Sequence, residues 1–153
     1  MRRSIEGPVM ENGSMGRVLT EATVYNLGDL IEVERGKLAA NDVRKVVIPE
    51  ALVDTGATTL SMPRSLLDQI GLTKRYEKRA ITAGGERTMS VYGTARVVIM
   101  GRDCVTDVVE VPEGNPVLIG QIPLEMMDWV VDLQSRKLIG NPAHGGDQIL
   151  EMY

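Results

Sequence analysis

The run Leu52-Val53-Asp54-Thr55-Gly56-Ala57 puts a carboxylate directly after an apolar stretch and directly before a small hydroxyl residue, a glycine and an alanine. That order predicts a strand ending in a tight loop with Asp54 at its tip. A carboxylate placed in this way can take a proton from water, and a second acid beside it can protonate a carbonyl oxygen or a leaving nitrogen. Two close carboxylates divide these roles by sharing one proton, because like charges at short range do not both ionise cheaply. Thr55 can offer its hydroxyl to a neighbouring loop. Gly56 lets a backbone N–H approach the carboxylate where a Cβ would intrude. Ala57 is small enough for tight packing below. Taken alone, an Asp-Thr-Gly triplet is also a common turn, and this one occurs once in the chain.

The surrounding pattern supplies elements to position that loop. Val18, Thr20, Ala22 and Val24 alternate with polar or larger neighbours, the period of a half-buried strand that ends at Asn26-Leu27-Gly28-Asp29. Residues 30–34, 43–48 and 51–54 read as three further short strands. A short helix is predicted to start at Ser61-Met62-Pro63, with Ser61 as N-cap, Leu66, Leu67 and Ile70 as its apolar face, and Gly71 as its terminator. Residues 79–100 form a long hairpin turning at Gly84-Gly85, with a bend or bulge at Gly93. Residues 104–111 make another strand. Val117-Leu118-Ile119-Gly120 repeats the texture of an apolar run closed by glycine. Residues 123–127 form a second short helix, and residues 129–132 and 137–139 a closing hairpin around Gln134-Ser135. Strand, glycine loop and proline-started helix thus occur twice, over 52–71 and 116–128, which predicts two related halves within one domain.

Composition bounds the rest. The 153 residues suit one domain with a real core, and with no Phe, one Trp and four Tyr that core must be mainly Val, Ile, Leu and Met. The formal net charge of −4 gives no basic face for nucleic acid. No apolar run approaches the roughly 18 residues of a membrane span. A lone Cys104 leaves no intramolecular disulfide framework and fits a reducing compartment. Met1-Arg2-Arg3-Ser4 is basic but lacks an apolar stretch behind it, so the expectation is a cytoplasmic protein without a signal peptide. Residues 1–16 hold four Gly or Pro and no periodicity and read as a flexible N-terminal arm, residues 17–140 as the folded domain, and residues 141–153 as a C-terminal tail.

Over residues 17–140 the order of strands, Asp54-Thr55-Gly56-Ala57, helix, glycine hairpin, Val117-Leu118-Ile119-Gly120, second helix and closing hairpin resembles the retropepsin-like aspartic protease family, the retroviral proteases and their cellular relatives. The resemblance implies an all-β fold with two short helices, a closed β-barrel of the acid protease type with one lobe per chain. It implies an aspartic endopeptidase in which Asp54 is catalytic together with Thr55 and Gly56. Thr55 would grip the partner loop. Ala57 and the flap residues Ala83, Gly84, Gly85 and Glu86 would meet the substrate, and Ile119 and Gly120 would support the active loop from beneath. One motif in a chain of this length is half of a two-lobed enzyme, so the resemblance implies a homodimer acting on a peptide or protein, without cofactor or metal and without nucleic acid or membrane as partner. The flap departs from the retroviral pattern, since Thr82, Glu86, Arg87 and Thr88 make it polar around its two glycines. A catalytically inactive dimer of the same fold that acts as a peptide-binding or interaction module is the alternative, and a processing enzyme with one dedicated substrate is a third possibility.

Other residues suit blander roles. His144 in Asn141-Pro142-Ala143-His144-Gly145-Gly146 reads as a loop residue, and a Ser-His-Asp triad would have to recruit it without a nucleophile elbow. Cys104 reads as a small core residue. One His and one Cys without ligand spacing give metal binding little support. Asp132 lacks a following hydroxyl residue and glycine and reads as a strand-end or turn residue. The nine Met residues fill a Phe-free core.

Overall fold

The computed structural model describes residues 17–152; the expected arm, residues 1–16, lies outside the described residues. The chain runs β1 (Val18–Asn26), α1 (Leu27–Glu34), a 3-10 turn (Ala40–Asp42), β2 (Lys45–Val53), β3 (Leu60–Pro63), α2 (Arg64–Gln69), β4 (Thr73–Thr82), β5 (Gly85–Ile99), β6 (Arg102–Val111), β7 (Leu118–Ile119), α3 (Gln121–Met126), β8 (Trp129–Asp132), β9 (Lys137–Gly140) and a second 3-10 turn (Pro142–His144). The fold is mainly β, as expected, but it carries three short α-helices instead of two.

Seven strands form one sheet in the order β1-β2-β7-β3-β6-β5-β4, and a further pairing of β1 with β5 closes six of them into a ring. Strand β4 stays outside the ring as the outer arm of a hairpin with β5, from Thr73↔Gly93 to Thr82↔Gly85. Strands β8 and β9 form a separate hairpin. Inside the ring, alternate residues of each strand converge. Val18, Ala22 and Val24 from β1, Ala51 and Val53 from β2, Val97 and Ile99 from β5 and Val108 from β6 are buried with Leu60, Met62, Leu67, Ile119, Leu124 and Met127. The core is aliphatic and methionine-rich, as the missing Phe requires. Cys104 belongs to it at 6 % exposure, and burial, aided by the Asp103 charge, pushes its thiol up to about 11.

Three expected elements come out differently. Residues 30–34 belong to helix α1, whose N-cap Asn26 accepts a hydrogen bond from the Asp29 backbone N–H at 2.9 Å. Asp29 sits in the first turn, where a carboxylate is favoured, and it also takes Arg44 Nε at 2.8 Å and Nη2 at 2.9 Å. The Ile31-Glu32-Val33-Glu34 alternation mimics a strand, but the cap dictates the geometry. Residues 43–48 and 51–54 are not two strands; one continuous strand, β2, covers most of both, with Pro49 inside it. Ser61 lies in β3, and α2 begins at Arg64 with Pro63 as an N-cap that makes no side-chain bond. The capping comes from far along the chain, because Glu113 accepts the Ser65 N–H at 2.9 Å and the Ser65 hydroxyl at 2.8 Å.

The two strand-loop-helix segments end alike. Helix α2 stops at Ile70 and is followed by Gly71 at φ +69°, a left-handed position that suits glycine. Helix α3 stops at Met127 and is followed by Asp128 at φ +59°. In each case a side chain from elsewhere takes the carbonyls left unpaired at the helix end. Asn26 Nδ2 donates to Ile70 O at 2.9 Å, and Arg102 Nη1 donates to Asp128 O at 2.8 Å and Met127 O at 3.2 Å.

Candidate active site

The loop that carries Asp54 joins β2 to β3, and the two-residue strand β7 lies between them. Val53 pairs in parallel with Ile119, and Leu60 pairs with the same Ile119 from the other side. The loop therefore bridges two strand spacings, roughly 10 Å, and both its ends are fixed by one buried residue. Hydrogen bonds continue the hold. Asp54 N–H donates to Ile119 O at 3.0 Å, Gln121 N–H to Ala57 O at 2.9 Å and Ile122 N–H to Thr58 O at 2.9 Å. Gly120 makes the approach possible, since a Cβ there would stand 2.6 Å from Thr59 N and 2.7 Å from Thr58 C, both backbone atoms that cannot swing away.

Asp54 is half-buried at the loop start and accepts the Gly56 N–H on Oδ1 at 2.9 Å. Its backbone carbonyl accepts the Ala57 N–H at 3.0 Å, which closes the turn. Thr55 and Gly56 are exposed. Among the described residues no second carboxylate bonds Asp54, and the Thr55 hydroxyl has no intrachain partner. Thr59 anchors the far end of the loop, its hydroxyl 3.2 Å from that of Thr106 and 3.3 Å from Asp107 O.

Beside this loop lies a recess of about 640 Å³, between residues 56–59 and the β4–β5 hairpin. Gly56 and Ala57 line it, together with Ala80, Thr82, Met89 and Val109. The flap tip is arranged differently from the expectation. The turn is the two-residue loop Ala83-Gly84, flanked by the pair Thr82↔Gly85. Thr82 Oγ1 ties it by donating to Gly85 O at 2.9 Å and accepting Gly84 N–H at 3.2 Å, and Arg79 pairs with Glu86 at 3.1 Å across the hairpin. Ala83 and Gly84 line a second recess of about 550 Å³ with Arg87, Glu110 and Pro112, not the one beside the Asp54 loop. The structure thus brings Asp54, Thr55, Gly56, Ala57, Ile119 and Gly120 together, and leaves Ala83, Gly84, Gly85 and Glu86 at the outer end of the hairpin.

A second polar cluster was not legible in the sequence. His144 Nδ1 lies 2.6 Å from Asp128 Oδ2, and its Nε2 lies 3.1 Å from Glu151 Oε2. Asp128 also accepts the Ile149 N–H at 2.9 Å and Asn141 Nδ2 at 3.2 Å, so the residues after β9 are fastened to the end of α3. The Ile149 N–H and the His144 ring hold the Asp128 carboxyl down to about 2, and Asp128, then Glu151, raise His144 above its ordinary range. The sequence around His144 gave no sign of this, because its two partners stand 16 and 7 residues away. Asp132 is the turn residue it was expected to be, accepting Gln134 N–H at 3.2 Å and the Ser135 hydroxyl at 2.8 Å.

A closed ring of strands around an aliphatic core, with an aspartate loop seated on an apolar-apolar-glycine strand end, defines a β-rich protein of the aspartyl protease class. The chain belongs to the retropepsin-like aspartyl protease family, whose profile, described as Aspartyl protease, matches residues 37–122, more than half of its length. The match begins before β2, contains the Asp54 loop and the β4–β5 hairpin, and ends just beyond Gly120. No curated protein matches the chain. None of the helices among the described residues is long and apolar enough to cross a membrane.

Proposed function

We propose that this protein is an aspartic endopeptidase whose active site forms between two copies of the chain, each contributing Asp54. The observation that carries this reading is the seating of the single Asp54 loop on Ile119 and Gly120, with the carboxylate half-buried at the surface and without a second carboxylate among the described residues of its own chain. A two-fold axis past the loop supplies the missing acid from the identical residue. The exposed Thr55 hydroxyl is then available to the partner's loop.

With one proton shared by the pair, the ionised Asp54 takes a proton from water as its oxygen attacks the peptide carbonyl carbon. The protonated Asp54 gives its proton to the carbonyl oxygen. Collapse of the resulting diol breaks the C–N bond, and a proton passes from the pair to the leaving nitrogen. Gly56 N–H, bonded to Oδ1, fixes the carboxylate's orientation. The recess between Ala57 and the hairpin holds substrate side chains, and the hairpin covers the chain. The working domain extends from residue 17 to 140, and residues 141–152 form a tail fastened to it by Asp128.

Asp54→Asn is expected to keep the fold and the dimer while removing cleavage of a broad peptide library, a loss of at least about 10³-fold given how steeply dyad function depends on each member. Circular dichroism and sedimentation check the first part, and product analysis by mass spectrometry the second. Near-wild-type cleavage by that variant would remove Asp54 from the mechanism. A wild-type protein that binds library peptides but yields no Asp54-dependent product would instead make it a peptide-binding module.

A further inference from the structure

The recess beside the Asp54 loop is built by strand alternation. Tyr76, Lys78, Ala80 and Thr82 on β4, Met89 and Val91 on β5, and Asp107, Val109 and Val111 on β6 stand two residues or a multiple of two apart, so mainly one face of each strand lines it, with Ile81 and Thr106 added from the other. Most of that face is apolar. Its two charged members are Lys78, exposed on β4, and Asp107, a half-buried carboxylate set in the wall. We propose that Asp107 makes this recess a subsite for a basic side chain, Lys or Arg, of the peptide substrate. The inference rests on the proteolytic reading above and names the substrate class.

Three observations support it. Asp107 is underused by its own chain. Its donors are the Tyr76 hydroxyl and the Thr94 hydroxyl, each at 3.5 Å, the outer limit of a hydrogen bond. An ionised carboxylate offers about four acceptor positions, and among the described residues no Lys or Arg pairs with this one. Lys78, which also lines the recess, is exposed and lies over the Tyr76 ring at 5.8 Å. A cationic guest would supply the strong donor that this carboxylate lacks.

Asp107 is also held in register with the Asp54 loop. Its backbone carbonyl accepts the Thr59 hydroxyl at 3.3 Å and the Thr106 hydroxyl at 2.9 Å, and Leu60 pairs with the adjacent Val108. Space for the carboxylate comes from Gly93, where a Cβ would stand 2.7 Å from Asp107 Oδ1. Finally, the row Val111, Val109, Asp107 advances by roughly 7 Å per two residues. That matches a side chain whose aliphatic stem lies on valine while its charged head reaches a carboxylate, which is how Lys and Arg pack. An acidic guest meets like charge at Asp107 and is disfavoured at that position.

The test is a positional-scanning peptide library digested by wild-type protein, Asp107→Asn, Asp107→Glu and Asp54→Asn. Asp54-dependent products are expected to carry Lys or Arg at one fixed position from the cut. Asp107→Asn, close in shape, should lower kcat/KM for those peptides by roughly 10–100-fold while sparing neutral ones, and Asp107→Glu should restore the basic preference. Asp54-dependent cleavage with no basic preference, or with a preference that Asp107→Asn leaves unchanged, overturns the inference and leaves the protease reading intact. If no Asp54-dependent product forms, that reading fails, and retention of the same library on the immobilised protein decides the subsite. Enrichment of Lys and Arg peptides lost in Asp107→Asn sustains it, and equal retention of all peptides overturns it.

Discussion

Asp54 is placed by its neighbours' backbones more than by their side chains. Its own N–H is bonded to Ile119 O, and one N–H two residues on is bonded to its carboxylate. The residue that permits this is Gly120. Gly120→Ala is expected to force the Thr58-Thr59 backbone off the β7 end, costing about 1–3 kcal/mol as an overpacked site does, with a lower Tm and a larger fall in cleavage than in stability. Thermal unfolding and peptide turnover on the same samples check this; an unchanged Tm would mean that the loop seat is looser than described. The Asp-Thr-Gly-Ala string and the Ile-Gly string were both legible, because each is a local pattern whose chemistry depends on adjacent residues. Asp107 was not, since its meaning depends on Tyr76, Thr94 and Gly93, which come to it only through strand pairing.

Elements form here by joining local pattern to distant support. Strand β1 was legible by its alternation, and helix α2 by its Leu66-Leu67-Ile70 face and Gly71. The start of α2 was not, because its cap is Glu113, 48 residues from Ser65. Helix α1 reads as a strand because Ile31-Glu32-Val33-Glu34 alternate apolar and acidic, while the Asn26 cap and Asp29 look like a turn until Arg44 is seen to hold Asp29. The connection between α3 and the tail carries a pH prediction. His144, raised by Asp128 and then by Glu151, contributes stability that is fully present below its ordinary value of 6.5 and is lost as pH rises through its raised value. Asp128, lowered to about 2, contributes stability that is present above its ordinary 3.8 and is lost as pH falls toward 2. The tail should therefore be held most firmly between these limits and loosen on either side. Amide exchange at Ile149 followed against pH checks it. His144→Gln should abolish the alkaline limb while leaving the acid one, and an alkaline limb that survives in that variant would place its origin elsewhere.

At the scale of the molecule, one closed ring of strands carries one aspartate loop, and among the described residues no second acid bonds Asp54. The proposed dimer answers that lack and would tie activity to assembly: dilution below the dimer dissociation constant should abolish specific activity along with the dimer, seen as a steep concentration dependence of turnover with a matching change in sedimentation. The family profile supports a protease as such, and the proposed pairing of two loops is what would turn a single lobe into a site. The most direct measurement of that pairing mixes wild-type and Asp54→Asn chains at fixed total concentration, lets them exchange, and follows peptide cleavage against the wild-type fraction. If each site needs an Asp54 from both chains, activity falls as the square of that fraction, to about one quarter in an equal mixture. A linear fall, to about one half, would mean that a single chain holds a complete site and would contradict the account.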